Sequence, residues 1–251
     1  MPEQFSQEIE LSIVIPAKDE AGSLPFLISE IQGYLDGHYD YEIIVVDDGS
    51  RDQTFTICQQ TLTQSAAPFL LIRNRKPCGQ STAIAQGVQL ANGRFVLTMD
   101  ADGQNDPKDI PTFIQLARKR TEMDFCIIGH RQQRQDSRWV RIQSKVANAI
   151  RASILKDDTP DSGCALKLLP LRTFRKIPYF NHMHRFTPAL VRRMGGATIS
   201  VAISHRPRTA GKSHYNVWNR AFAGLLDLCG VAWLLYRTRL PEGERLERFE
   251  P

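Results

Sequence analysis

The run Val96-Leu97-Thr98-Met99-Asp100-Ala101-Asp102-Gly103-Gln104 decides how the rest of this chain is read. An apolar strand passes directly into two carboxylates spaced i, i+2, followed by a glycine and an amide. In an extended segment, residues i and i+2 project to one face, so Asp100 and Asp102 can address a single object. Neighbouring carboxylates repel and desolvate one another unless a cation or ligand donors lie between them. Hard oxygen ligands beside an amide oxygen suit Mg²⁺ or Mn²⁺ shared with substrate phosphates. Asp100, Asp102 and Gln104 are therefore the candidate metal ligands. A solvated turn is the plain alternative for any single acidic strand end.

Two more apolar strands end in the same way. Leu11-Ser12-Ile13-Val14-Ile15 runs into Pro16-Ala17-Lys18-Asp19-Glu20, and Glu42-Ile43-Ile44-Val45-Val46 runs into Asp47-Asp48-Gly49-Ser50. Helical stretches at Ser23–Leu35, Gln53–Thr63 and Gln80–Ala91 separate them, and further strands are expected at Phe69–Ile72 and Asp124–Ile128. Nearly continuous Ile/Val runs alternating with helices predict an α/β fold, with a mostly parallel, Rossmann-like sheet buried on both faces. In such a sheet the carboxyl ends of the strands open on one edge, where ligands bind. Three acidic ends then converge on one crevice, which solvated turns do not predict.

At 251 residues, the chain is long enough for one catalytic domain with a tail. The expected division is an arm at 1–10, a catalytic domain at 11–215, an amphipathic helix at 216–240 and a charged tail at 241–251. No linker or internal repeat divides it. Five cysteines without CxxC spacing argue against structural zinc and a disulfide framework, and suit a reducing cytoplasm. The amino terminus lacks a basic stretch followed by an apolar one, so no signal peptide is expected. The net charge of +5 is uneven. Acidic residues hold the early strand ends, while Arg131, Arg134, Arg138, Arg141, Lys145 and Arg151 crowd the middle. Without interleaved aromatics or a groove-reading motif, nucleic acid is disfavoured; a phosphorylated acceptor near an anionic membrane remains.

Taken in order, Val14 to Glu20, Val45 to Ser50, Asn74 with Gly79 and Ala83, and Met99 to Gln104 resemble the successive motifs of family-two glycosyltransferases. Gly129-His130-Arg131, Asp161-Ser162-Gly163-Cys164-Ala165-Leu166-Lys167, His184-Arg185-Phe186 and Arg206 to Tyr215 resemble the polyprenyl-phosphate branch. That branch includes dolichol-phosphate mannosyltransferases and their bacterial undecaprenyl-phosphate relatives. The resemblance spans roughly Leu11 to Leu235. It implies a GT-A fold, a nucleotide-sugar donor (UDP- or GDP-linked), a divalent cation and inverting transfer to a polyprenyl phosphate.

The resemblance also implies roles. Pro16, Ala17, Glu20 and Asp48 would contact the base or ribose. Asp100 would hold ribose or metal, and Asp102 with Gln104 would hold metal bridging the diphosphate. Gly79 would admit close backbone approach or simply start a helix. Asp19 and Lys167 stand where the family often has Asn and Arg. A phosphate acceptor is largely ionised already and needs cationic positioning more than a base. Arg131 and Arg141, with Ser144, are the acceptor-phosphate candidates, and Arg208 would close over the phosphates. Asp161 would orient acceptor or sugar, so Asp102, Asp161 and Arg131 form the catalytic set. His184 and Arg185 would touch the sugar or serve structure.

Val217–Tyr236 is interrupted by Arg220 and Asp227, too charged to span a bilayer. Trp218, Trp233 and Tyr236 with Arg237 and Arg239 suit a helix lying in the interface, which would make the protein peripheral on the cytoplasmic face of the cell membrane. Packing on the catalytic domain or in a homodimer is the alternative. Other functions fit less well. A family-two enzyme with a non-lipid acceptor stays open. A nicotinamide enzyme would need GxGxxG after the first strand, an aspartyl phosphatase leaves Asp48 and Arg208 unexplained, and an inactive membrane scaffold predicts gaps in a donor motif set that is full.

Overall fold

The computed structural model describes residues 9–63, 65–131, 151–155, 159–207 and 217–237. Chain order is β1 (Leu11–Ala17), α1 (Leu24–Leu35), β2 (Tyr41–Asp47), α2 (Thr54–Leu62), β3 (Phe69–Arg73), α3 (Gln80–Leu90), β4 (Phe95–Thr98), α4 (Ile110–Arg118) and β5 (Phe125–Arg131). Helical residues 151–155 (α5) follow, then β6 (Lys167–Pro170), α6 (Leu171–Lys176), α7 (Thr187–Arg193), β7 (Ala197–Ile203) and α8 (Val217–Arg237).

The seven strands form one sheet in the order β3-β2-β1-β4-β6-β5-β7. β6 alone runs antiparallel, against both β4 and β5. β1 and β2 are buried along nearly their whole length, as continuous Ile/Val strands under helices on both faces should be. The crossovers from β1 to β2 to β3 carry α1 and α2, which pack against each other. The return from β3 to β4 reverses direction, and α3 packs against β1, β2 and α6. The fit there is close: a Cβ on Gly87 would lie 2.5 Å from Val14 Cγ1. α1 buries Leu24, Leu27, Ile28, Ile31 and Leu35, the i, i+3, i+4 stripe of a surface helix.

The direction change between β1 and β4 creates a switch point, and its crevice lies beyond the carboxyl ends of those strands. β2, β1 and β4 are adjacent, so the three acidic ends do meet on one edge. One expectation changes in detail. β4 stops at Thr98, and Asp100 and Asp102 lie in the turn that follows, with Gly103 at φ +73°. Their placement is set by a turn, not by strand alternation. α8 covers Val217–Arg237, and no helix among the described residues is long and apolar enough to cross a membrane.

Candidate active site

The loops after β1 and β2 are laced to each other. The Asp19 amide donates to Ser50 Oγ at 2.9 Å, the Arg51 amide donates to Asp19 Oδ1 at 2.7 Å, and the Glu20 amide donates to Thr54 Oγ1 at 2.9 Å. Asp19 adopts φ 55°, a left-handed conformation that an Asp tolerates when its side chain bonds locally. Gly49 is at φ +67°, and a Cβ there would lie 2.7 Å from the backbone of Lys76 and Pro77. That packing brings the loop before α3 under β2. Glu20 turns its Oε2 to the Ser23 hydroxyl at 2.7 Å, beside the start of α1.

Asp48 is buried and accepts three hydrogen bonds: from the Cys78 amide at 2.7 Å, the Gly79 amide at 2.8 Å and Asn74 Nδ2 at 3.1 Å. Asn74 and Gln86 bond reciprocally at 3.0 Å, tying the same loop to α3. Asp48 thus shapes the segment 74–79, with Gly79 (φ +95°) as the cap of α3. Pro16 and Ala17 end β1 beside it.

Asp100 Oδ1 accepts from Gln80 Nε2 at 2.7 Å, and Asp102 Oδ1 accepts from the Gln104 amide at 3.1 Å. Gln80, first residue of α3, went unnoticed in the sequence; its only signal is its place after Gly79. Among the described residues no three His, Cys, Asp or Glu side chains converge into a cation cage. Two carboxylates and an amide fit Mg²⁺ or Mn²⁺, which complete their shells with water and substrate phosphate, better than an all-protein calcium site. The Gln104 carbonyl accepts from the Arg206 amide at 3.0 Å, and Asn105 bridges to His205. Arg206 clamps Glu30 of α1 through Nη1 (2.8 and 2.9 Å) and Asp106 through Nη2 (2.7 Å), fixing the strap behind the acidic turn. Sequence reading placed Arg206 within a motif and missed this role, because Glu30 lies 176 positions away.

Between these elements lies a small open cleft. Pro16, Ile84 and Met99 form its apolar wall, and Gln80, Asp100, Lys167 and His184 its polar one. Lys167 opens β6 beside Thr98 and is buried, and its ammonium donates to the Cys164 carbonyl. Burial pushes that ammonium below its usual range, against the pull of the Asp100 and Asp161 carboxylates. His184 Nδ1 lies 2.8 Å from Ser81 Oγ; burial, then the charges of Lys167 and Arg185, hold the imidazole well below its ordinary value and therefore neutral at pH 7.

The end of β5 meets the loop before β6 through Arg131, whose Nε and Nη2 fork onto Asp161 at 2.7 and 2.8 Å. Burial works against the guanidinium charge, and the Asp161 carboxylate more than offsets it. Two residues chosen separately from sequence are thus one unit. Arg141, Ser144 and Arg208 lie outside the described residues.

The family profile described as glycosyl transferase family 2 matches residues 12–177. A dodecaprenyl-phosphate galacturonate synthase of Rhizobium johnstonii is 32% identical over 242 residues, covering 93% of this chain and 70% of that protein. An undecaprenyl-phosphate 4-deoxy-4-formamido-L-arabinose transferase of Pseudomonas savastanoi pv. phaseolicola is 34% identical over 208 residues, covering 82% of this chain and 60% of that protein. Among solved structures, glucosyl-3-phosphoglycerate synthase from Mycobacterium tuberculosis with Mg²⁺ and uridine diphosphate superimposes with a TM-score of 0.64 at 18% identity, over 88% of this chain and 79% of that one. That likeness is one of fold, and the fold is of the GT-A type.

Proposed function

The chain belongs to glycosyl transferase family 2, and we propose that it moves one sugar from a nucleotide sugar to a polyprenyl phosphate at the cytoplasmic face of a membrane. The observation that supports this reading is the adjacency of β2, β1 and β4, whose acidic ends share one edge of the sheet, with the Arg131–Asp161 fork at the end of β5. The names of the two curated relatives, both polyprenyl-phosphate sugar transferases, support the acceptor class. The chain spans 70% and 60% of their lengths.

The chemistry is one displacement. A phosphate oxygen of the acceptor attacks the anomeric carbon as the bond from that carbon to the diphosphate breaks, and the nucleoside diphosphate leaves from the opposite face, so configuration inverts. A phosphomonoester has a second pKa of about 6 and is mostly dianionic at neutral pH, so no strong base is required. Arg131, oriented by Asp161, steers the acceptor phosphate, with Arg141 and Ser144 as further donors. The Asp48-braced loop and the ends of β1 and β2 hold the nucleoside, and Arg208 closes over phosphate. Asp100, Asp102 and Gln104 would hold Mg²⁺ or Mn²⁺, which when bound neutralises charge on the leaving diphosphate.

α8 supplies the membrane contact. Leu228 and Val231 are buried, while Leu226, Trp233 and Tyr236, on the opposite face at i, i+7 and i+10, are 58%, 63% and 86% exposed. An apolar, aromatic outer stripe suits the headgroup boundary. The deciding experiment incubates purified protein with UDP- and GDP-sugars, Mn²⁺ and a short polyprenyl phosphate. Acceptor-dependent release of nucleoside diphosphate, with a prenyl-phosphate sugar as product, is expected. Release of inorganic phosphate instead, or no metal-dependent turnover of any donor, overturns the proposal.

A further inference from the structure

We propose, resting on the donor reading above, that the transferred sugar carries a carboxylate, bound at the floor of the crevice by Lys167 together with His184. Lys167 is 3% exposed, yet it lines the cleft that begins at Asp100. It pairs with Thr98 across the sheet, and its side chain reaches toward the carboxyl edge, where its ammonium donates to the Cys164 carbonyl. An ammonium has three N–H donors. Among the described residues this carbonyl is its single hydrogen-bond partner, and it makes no ion pair.

A buried cation without an anionic partner is costly, and the two carboxylates within reach are engaged elsewhere. Asp100 accepts from Gln80, and Asp161 holds both arms of the Arg131 fork. The remaining wall, Pro16, Ile84, Thr98, Met99 and Ala165, offers no anionic side chain, and the Thr98 hydroxyl already donates to the Ala165 carbonyl. Asp100 and Asp161 act on the ammonium only through space, so a directly bonded counter-charge comes from the ligand. Across the same cleft stands His184, whose Nδ1 meets Ser81. With the serine donating, Nε2 keeps the proton and presents a second, neutral donor. Two donors of unlike charge match the two oxygens of a carboxylate.

The phosphates of the reaction have cations of their own. The donor diphosphate would lie with a metal held by Asp100, Asp102 and Gln104, and the acceptor phosphate with the arginines. A neutral sugar would leave Lys167 buried beside hydroxyl groups and still without a counter-charge. A site built around a charged donor rejects an analogue lacking its partner by far more than an apolar pocket rejects a missing methylene.

The test compares matched donors that differ in the C6 group: UDP-galacturonate with UDP-galactose, UDP-glucuronate with UDP-glucose, and GDP-mannuronate with GDP-mannose. Without acceptor, one uronate should bind at least about tenfold more tightly than its neutral partner, and the same preference should appear in kcat/KM for transfer. Lys167→Met keeps the length of the side chain and should bring that ratio near unity, while Lys167→Arg keeps part of it. The acceptor-free measurement assigns the anion to the sugar; a charge preference appearing only with acceptor present would assign Lys167 to the acceptor phosphate and overturn the inference. Efficient transfer of a neutral sugar with its uronate rejected overturns it too, and leaves the transferase reading standing. No turnover of any donor overturns both. The wild-type donor ratios decide the matter even if Lys167→Met fails to fold.

Discussion

Arg131 and Asp161 form a two-pronged ion pair, with Nε and Nη2 at 2.7 and 2.8 Å from the two carboxylate oxygens, that clasps the end of β5 to the loop leading into β6. Both side chains are largely buried, 16% and 7% exposed, so each depends on the other to stay charged out of water. Removing the carboxylate strands a guanidinium. Asp161→Ala should cost about 3 kcal/mol in urea unfolding, the scale of a broken buried pair. Arg131→Ala should cut transfer to polyprenyl phosphate far more than donor affinity measured without acceptor, and Arg131→Lys should not restore it, because an ammonium cannot reproduce the fork. Equal losses of donor affinity and transfer would assign Arg131 to the donor.

Asp48 gives the second prediction. Its carboxylate receives two backbone amides and the Asn74 side chain. Asp48→Asn replaces one acceptor oxygen with an NH₂ that must face another donor. A loss of about 2 kcal/mol is expected by chemical denaturation, together with weaker nucleotide binding, since the loop 74–79 shapes the crevice. A variant of unchanged stability that has lost only nucleotide affinity would return Asp48 to direct contact with the base or ribose.

How far the sequence alone reaches differs between the halves. β1, β2 and α1 were legible to within a residue or two, because unbroken Ile/Val runs and an i, i+3, i+4 stripe have few readings. β6 was not. Four residues ending in proline carry no period, and its strand character comes from β4 and β5 on either side. The site divides likewise. Asp100 and Asp102 stood out as carboxylates after an apolar strand, and Arg131 and Asp161 through the motifs that resemble the family's, but pairings such as Arg131 with Asp161 or Arg206 with Glu30 exist only once the sheet has ordered its edge. The alternation rule did not apply to Asp100 and Asp102, because β4 ends at Thr98 and both lie in the turn beyond it.

Metal dependence is the third prediction. Asp102 is buried in the turn, its Oδ1 already closing a local bond to the Gln104 amide. Asp102→Asn retains that acceptor and the shape of the turn but removes charge, so the melting temperature should stay close to wild type while transfer is abolished. Excess chelator should stop the wild-type enzyme, with Mn²⁺ restoring it and raising the melting temperature in the presence of donor. Undiminished turnover in chelator would remove the cation from the reaction.

His184 makes stability depend on pH. Burial, then the charges of Lys167 and Arg185, hold its imidazole well below its ordinary value. The unfolded chain therefore takes up a proton near pH ~6.5 that the folded chain refuses, and the unfolded state binds more protons below that point. Stability should fall as pH drops below about 6.5 and continue to fall until the folded-state value is reached. His184→Asn, which keeps a group near Ser81, should flatten that part of the curve. Identical melting curves for both proteins between pH 7 and pH 5 would show that the imidazole does not titrate on unfolding.

The outer stripe of α8 carries the last prediction. Its inner side packs Leu228 and Val231 into the core, with Ala232, Leu234 and Leu235 half-buried against it, and His182 Nδ1 meets Asp227 Oδ2 at 2.8 Å. A charge at Leu234 would therefore report on folding. Trp233 and Tyr236 point outward, and glutamate there leaves the packed face alone. If the stripe lies in the headgroup boundary, each substitution should lower affinity for anionic vesicles about tenfold or more, the scale of losing one buried aromatic side chain. Transfer to long-chain acceptors in vesicles should fall in step, while activity on a short, water-soluble prenyl phosphate persists, because the groups proposed to react lie at the strand ends, away from α8. If wild-type protein ignores vesicles and the double variant instead loses a dimer by sedimentation, the stripe faces a second copy of the chain and the membrane assignment fails.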